Sequence, residues 1–398
     1  MRRTTLALLA LLAAAAPLAA QRDEPRRPRL PAAADTNDAR AYFRLGQELL
    51  DRRPRDAADA FYWASQIEPG WADPLYGRHV ALLMSDPRRL VLYYQGDRST
   101  RRNPQVQRID SLYYRALRID PFLRRQFDRE LIRLWVISAI SGGEVGVDVP
   151  LVAFYSEQIM RDMPPLARAR VLAGEGRLAQ ALAAFDQALR ERNRRWSEPV
   201  RVIRHERARM FALAGNDSMA LVELRHAVEA GVEEEEGDEL VFFYQSKAVL
   251  EHSMGRVHER SGDRDAAREA YARALLEDLS YYPAHVRMGI LAMASGDTAT
   301  AVHELALAAE AGSDDAATRL TYATLLASLR RLPEAEAELL AATELAPYYA
   351  EPWFLLGMVR DWRGEGDSVA AYRAFLARAR RDDPRRAQVE PIVVATTP

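Results

Sequence analysis

A small–bulky–small triplet returns along this chain at a fixed interval. Ala267, Tyr271 and Ala274 are answered 34 residues later by Ala301, Leu305 and Ala308, and after 34 more by Ala335, Leu339 and Ala342. A period of this size marks a helical solenoid, because each repeat is one supersecondary unit that stacks on its neighbours to bury a shared core. Such a chain reads first as a binding array.

At 398 residues the chain has room for two or three ordinary domains, but a solenoid needs no single growing core and removes that limit. The apolar share of 48% and the charged share of 28% are those of a soluble folded protein. Lys247 is the single lysine, so positive charge is almost all arginine, which stays ionised and pairs bidentately with carboxylates. The formal charge of −2 shows no basic excess and speaks against nucleic acid as a partner. Two local runs stand out, basic from Arg101 to Arg133 and acidic from Glu233 to Glu239, readable as solvated faces or as partner patches. The absence of cysteine excludes disulfides, a thiolate nucleophile and Cys-ligated metal.

The first twenty residues have the layout of a secretory signal. Arg2 and Arg3 precede an apolar stretch from Leu6 to Ala16, and Leu18-Ala19-Ala20 puts small residues before a cut at Gln21. The expectation is an exported protein, periplasmic or extracellular, with retention of the segment as a tether as the alternative. Residues 21–38, rich in Arg, Pro and Ala without apolar period, read as a flexible linker.

From Ala39 onward the text is helical almost without interruption. Helix A of a unit is represented best by Trp353-Phe354-Leu355-Leu356-Gly357. Helix B, with its closing proline, is represented by Ala335, Leu339, Ala342 and Pro347. An early copy has Leu45-Gly46 followed by Ala57, Phe61, Ala64 and Pro69. These residues resemble the tetratricopeptide repeat (TPR), a 34-residue helix–turn–helix unit. Small residues at Ala169, Ala208, Gly255, Gly289, Ala323 and Gly357 mark the close crossing on helix A, faced by Ala181, Ala220, Ala267, Ala301 and Ala335 on helix B. Phe185, Leu224, Tyr271, Leu305, Leu339 and Tyr372 fill the gap to the next unit, and Gly176, Gly215, Gly262 and Gly296 end helix A.

The resemblance implies an all-α, right-handed α-solenoid of about nine TPR-like helix pairs after the signal peptide. Residues 39–162 form a divergent N-terminal TPR-like region, 163–383 a C-terminal array, and 384–398 a disordered tail that is open to folding over the last repeat. Helix B alanines spaced by 39 and then 47 residues locate insertions near Arg192 to Glu198 and at the acidic run Gly231 to Glu239. In the divergent region, Ile109, Tyr113, Ala116 and Pro121 look like a helix B partnered by Pro74 to Met84 across an insertion from Ser85 to Asn103. Phe122 to Ile140 and Leu151 to Arg161 read as a further pair around the Gly-rich loop Ser141 to Pro150.

Catalytic signatures fail on inspection. His205-Glu206, His258-Glu259 and His303-Glu304 open like zinc-protease motifs, but Arg209, Gly262 and Leu307 stand where the second histidine belongs. Gly174-Glu175-Gly176 with Ala179 joins two helices, whereas a dinucleotide loop must follow a strand. Ser141-Gly142-Gly143-Glu144-Val145-Gly146 lacks the Lys-Ser/Thr of a phosphate loop, and no nucleophile elbow occurs. No cofactor or metal is expected.

By resemblance, the fifth and ninth positions of each helix A line the concave face. Arg170, Arg209, Arg256, Ile290, Thr324 and Met358 hold the ninth position; Leu166, His205, His252, Val286, Leu320 and Phe354 hold the fifth. The expected protein-binding groove therefore comprises Arg170, His205, Arg209, His252, Arg256, Val286, Ile290, Leu320, Phe354 and Met358, basic in its middle and apolar toward the C-terminus. Such a groove suits a protein or extended peptide with an acidic group or a free C-terminal carboxylate. The Lys and Asn of the family's carboxylate clamp are absent. The expected function is a non-catalytic exported scaffold that organises a cell-envelope or secretion complex. One alternative is glycan or small-ligand binding on the aromatic N-terminal half (Trp63, Trp71, Tyr76, Tyr93, Tyr94, Tyr113, Tyr114). A second is an enzyme with its site in residues 85–150.

Overall fold

The structure is a computed structural model that describes residues 24–87, 90, 103–140, 163–191, 199–236 and 246–395, with the side chains of 136–140 and 233–236 left aside. The signal segment, Tyr93, Tyr94, the Gly-rich loop, Leu151 to Arg161 and the insertion at 192–198 lie outside the described residues. The described part is all helical, with no strand. The pairs run α1 (Ala39–Leu49) with α2 (Pro54–Ile67), and α3 (Ala72–Met84) with α4 (Pro104–Ile119). Then comes α5 (Asp128–Ile140), followed by α6 (Pro165–Gly174) with α7 (Leu178–Arg190), and α8 (Val200–Leu213) with α9 (Asp217–Glu236). The array continues with α10 (Lys247–Arg260) and α11 (Arg264–Glu277), α12 (Tyr282–Ser295) and α13 (Thr298–Ala311), and α14 (Ala316–Ser328) and α15 (Leu332–Leu345). It ends with α16 (Ala350–Arg363) and α17 (Ser368–Arg378), then a last helix, α18 (Arg386–Ala395). In the pairs from α6 to α17 each helix packs most heavily on its own partner and next on the neighbouring pair, as a solenoid of TPR-like pairs requires. Eight complete pairs lie among the described residues, and α5 packs on α3 and α6.

Side-chain size sets the crossing. The five helix B alanines from Ala181 to Ala335 are fully buried, and so are Leu224, Tyr271, Leu305 and Leu339. Opposite them a methyl group has no space: a Cβ on Gly255 would sit 2.3 Å from the Tyr271 ring, and one on Gly357 2.4 Å from Tyr372. Helix A then stops the same way in successive units. Gly176, Gly215, Gly262 and Gly296 have φ between 75° and 84°, and the residue after each returns its N–H to a carbonyl five residues back. This is the Schellman arrangement, which meets otherwise orphaned carbonyls. Arg330 fills the same place with φ 60°, the one non-glycine residue at positive φ among those described. Asp263, Asp297 and Asp367 cap the following helices by accepting from the N–H three residues on, worth about 1 kcal/mol each.

Three expectations change. Phe122 to Phe127 is a turn, not the first part of a helix; α5 begins at Asp128, and Phe122, Leu123 and Phe127 leave the turn to enter the core. The acidic run, read as an insertion, begins within a helix, because α9 extends to Glu236. The tail is not disordered over 386–395: α18 lays Val389 and Val393 on Tyr372, Phe375 and Ala379, covering the end of the array.

The segment read as a flexible linker is docked as well. Asn37 donates to the carbonyls of Ala377 (3.0 Å) and Ala379 (3.2 Å), and Asp35 accepts from the Arg381 N–H at 2.6 Å. Tyr348, in the turn between α15 and α16, packs edge-on to Trp63 of α2, with ring centroids 4.8 Å apart. The first pair thus meets the last two, and the solenoid closes on itself.

Candidate functional site

The second pair lies against helices of the middle repeats. Along α4, Tyr113 accepts a hydrogen bond from Arg209 of α8 at 3.3 Å, and Tyr114 packs on the cluster that holds Ala248, Tyr271 and Tyr281. Arg118, one turn further, lies 4.1 Å over Tyr114 and 5.1 Å over Tyr282 at the start of α12. Phe122 joins Ala208, Ala212 and Leu250, with the Arg260 guanidinium 5.4 Å from its ring. The groove's middle is filled by the chain's own helix and turn.

Beneath this contact lies a buried charge network. Glu206 is 5% exposed. It receives Arg170 through Nε and NH2 (2.9–3.1 Å) and Arg125 at 3.1 Å. Arg125 also holds Asp128 at 2.9 Å, and Asp128 accepts from the Tyr76 hydroxyl. Burial by itself would raise the Glu206 carboxyl, but Arg170 and Arg125 outweigh it and hold the group at about 2. Burial is the leading cause for the histidines: it lowers His205 to about 3 and His79 to about 4, so both stay neutral. Burial also depresses His252, between the Tyr271 and Tyr281 rings, with Arg256 and Arg287 adding to the effect.

These contacts redistribute the expected groove residues. His205, Arg209 and His252 are buried, Arg170 is committed to Glu206, and none of the four faces open solvent. The basic middle of the groove is therefore an internal seam. Arg256 is 30% exposed in its side chain and lies 3.8 Å from Glu259, whose carboxylate Arg287 already grips through two nitrogens. Val286, Ile290, Leu320, Phe354 and Met358 are all half-buried along successive A helices. Phe354 carries the Arg385 guanidinium at 5.1 Å, and Met358 leans on the cluster sealed by α18.

The described aromatic residues of the N-terminal half are used in packing. Trp63 is 4% and Tyr76 1% exposed, and Trp71 packs at a tilt against Phe43 while donating to Asp73. Where the ends meet, a cavity of about 60 Å³ remains between Ser65, Arg78, Arg115, Asp315 and Ala346, room for water rather than a ligand. Among the described residues no group of His, Cys, Asp or Glu is placed to hold a metal, and no helix is long and apolar enough to cross a membrane. Sequence reasoning did not join Arg125 to Glu206, the pair at the centre of the buried network. The signal available was the pairing of Glu206 with His205 on a helix whose next turn carries arginine.

No protein-family model matches the chain, and no curated protein matches it. Solved structures with a similar helical arrangement include YrrB, described as a TPR protein with an unusual peptide-binding site. It is 16% identical over 53% of this chain and 99% of that one, with a TM-score of 0.39. The C-terminal part of a TPR repeat-containing protein from Cytophaga hutchinsonii is 12% identical over 53% of this chain and 78% of that one, at TM-score 0.42. MamA is 13% identical over 43% of this chain and 93% of that one, at TM-score 0.36.

Proposed function

We propose that this chain is a non-catalytic interaction scaffold that holds a protein segment on the C-terminal half of its concave face. The observation that carries this reading is the row Val286, Ile290, Leu320, Phe354 and Met358: five apolar side chains at groove positions of successive A helices, none fully buried by the fold. An extended segment with hydrophobic anchors at repeat spacing fits such a row. An acidic or carboxylate-ended partner has Arg256 as its remaining support, since Arg170 and Arg209 are turned to the chain's own Glu206 and Tyr113. The signal-like first twenty residues support an exported role in an envelope or secretion complex. The test is capture from envelope extract by the chain starting at Gln21, against the Ile290→Asp/Leu320→Asp double variant. Loss of specific partners in the variant, with helical content unchanged by circular dichroism, is the expected result. Equal capture by both overturns the reading.

A further inference from the structure

The seam that closes the solenoid has the make-up of a peptide-binding cleft, and the chain's own N-terminal segment occupies it. Residues 24–31, Glu-Pro-Arg-Arg-Pro-Arg-Leu-Pro, run without helix or strand and carry prolines at 25, 28 and 31. Pro25, Arg27, Pro28 and Leu30 are half-buried, whereas Arg26 and Arg29 are exposed. An exposed edge at spacing three, with proline on the adjoining one, is the signature of a polyproline II segment laid against a surface.

The surface makes the contacts by which aromatic clefts read such segments. The Trp63 indole N–H donates to the Pro25 carbonyl at 3.0 Å. The Arg27 guanidinium sits among three rings, 4.7 Å from Trp63, 5.3 Å from Tyr42 and 5.7 Å from Tyr348, and its Nε donates to the Tyr42 hydroxyl at 2.9 Å. The Tyr348 hydroxyl donates to Glu24 at 3.2 Å, and Leu30 packs on the neighbouring core. A cation enclosed by aromatic faces and a carbonyl taken by an indole N–H form a recognition pair for arginine on a proline-fixed backbone. Tyr42 and Trp63 come from the first pair and Tyr348 from the turn before the last, so the cleft exists only in the closed array.

We propose that this cleft is a docking site for an extended Pro/Arg-rich segment of a partner protein, and that residues 24–31 are its resident internal ligand, displaced when the partner binds. The proposal deepens the scaffold reading by naming a second site and a peptide class, and it rests on that reading only for the idea that the chain recruits proteins. A resident ligand lowers apparent affinity by the fraction of time the cleft is free.

The test uses the full chain and a synthetic peptide of residues 24–32, measured by titration calorimetry. Arg27→Ala, which vacates the cage, is expected to bind the peptide roughly tenfold more tightly than wild type does, in line with the freed fraction. Arg27→Lys, which keeps a cation in the cage, should behave like wild type. The same peptide with alanine at its Arg27 position should not bind, and Trp63→Phe in the Arg27→Ala background should weaken binding by removing the indole N–H. Absence of binding to an Arg27→Ala chain that melts as a folded protein overturns the proposal. So does equal affinity in wild type and Arg27→Ala, which would place the peptide elsewhere. Concentration-dependent dimers of the wild-type chain that the peptide dissolves would assign the cleft to a second copy and also overturn it. These outcomes leave the Ile290→Asp/Leu320→Asp capture test untouched, so the two readings fail separately.

Discussion

Gly255→Ala tests the packing rule of the array at its tightest point. In an ordinary helix this change stabilises by about 1 kcal/mol, because alanine loses less backbone entropy than glycine. Here the added Cβ would stand 2.3 Å from Cε1 and 2.6 Å from Cδ1 of Tyr271. The ring cannot swing aside: it is fully buried, and its hydroxyl is held by Glu259 at 2.5 Å. Overpacking of this kind costs about 1–3 kcal/mol, and a contact so short belongs at the upper end. Moving the ring also weakens a hydrogen bond to a charged group, worth about 1.5–3 kcal/mol. The clash therefore exceeds the propensity gain, and a net loss of about 2–3 kcal/mol is expected. Urea unfolding followed by circular dichroism reads it directly. The second arm is Gly255→Ala/Tyr271→Leu. Two other repeats already combine an alanine on helix A with leucine on helix B, Ala208 with Leu224 and Ala323 with Leu339, each pair sharing a core cluster. The double variant should regain most of the loss. If Gly255→Ala is as stable as wild type, or the leucine fails to rescue it, the crossing is not governed by the size match argued above.

Three further outcomes follow from the same contacts. Glu206→Gln removes the buried charge that Arg170 and Arg125 share and should cost about 3–5 kcal/mol, seen as a lower urea midpoint; an unchanged midpoint rejects the network as a structural joint. His79 and His205 are held at about 4 and about 3 by burial, while an unfolded histidine titrates near 6.5. The unfolded chain therefore binds more protons below pH 6.5. The stabilisation is whole above 6.5 and shrinks as pH falls toward 4, by about 1.4 kcal/mol per pH unit for each histidine. Melting temperature should drop steeply between pH 6.5 and 5, less so in His205→Gln, and a flat profile refutes the burial argument. Gly296→Ala forces a side chain to φ 80° and should cost about 1–2 kcal/mol by thermal melting, although a Cβ there meets no neighbour; no loss would mean that the helix end relaxes.

The array from Pro165 onward was legible because its determinants are local. Small residues at Ala169 or Gly289, the bulky Leu305 and the turn at Gly296 repeat at fixed offsets, and each describes contacts within one pair or the next. The candidate site was legible only as positions. Repeat numbering places Arg209 and His252 on the inward face, but whether that face is open depends on what lies across it. The answer came from Tyr113 and Tyr114, about a hundred residues earlier in a region where the pattern had decayed. The Pro-Arg segment was misread for a related reason. Its composition is that of a linker, and its ordering depends on Trp63 and on Tyr348 at the far end of the chain. Burial of Glu206 likewise follows from an ion partner, Arg125, that no local spacing connects to it.

The seam between Trp63 and Tyr348 has one more consequence. Open arrays tolerate the gain or loss of whole units, because a repeat has only neighbours to satisfy and the ends move freely. In this chain, adding or deleting one 34-residue unit between α6 and α15 would rotate and translate Tyr348 away from the Trp63 ring, and Ala377, Ala379 and Arg381 away from Asn37 and Asp35. The number of repeats is thereby under structural selection, and length variation should be confined to the connecting loops.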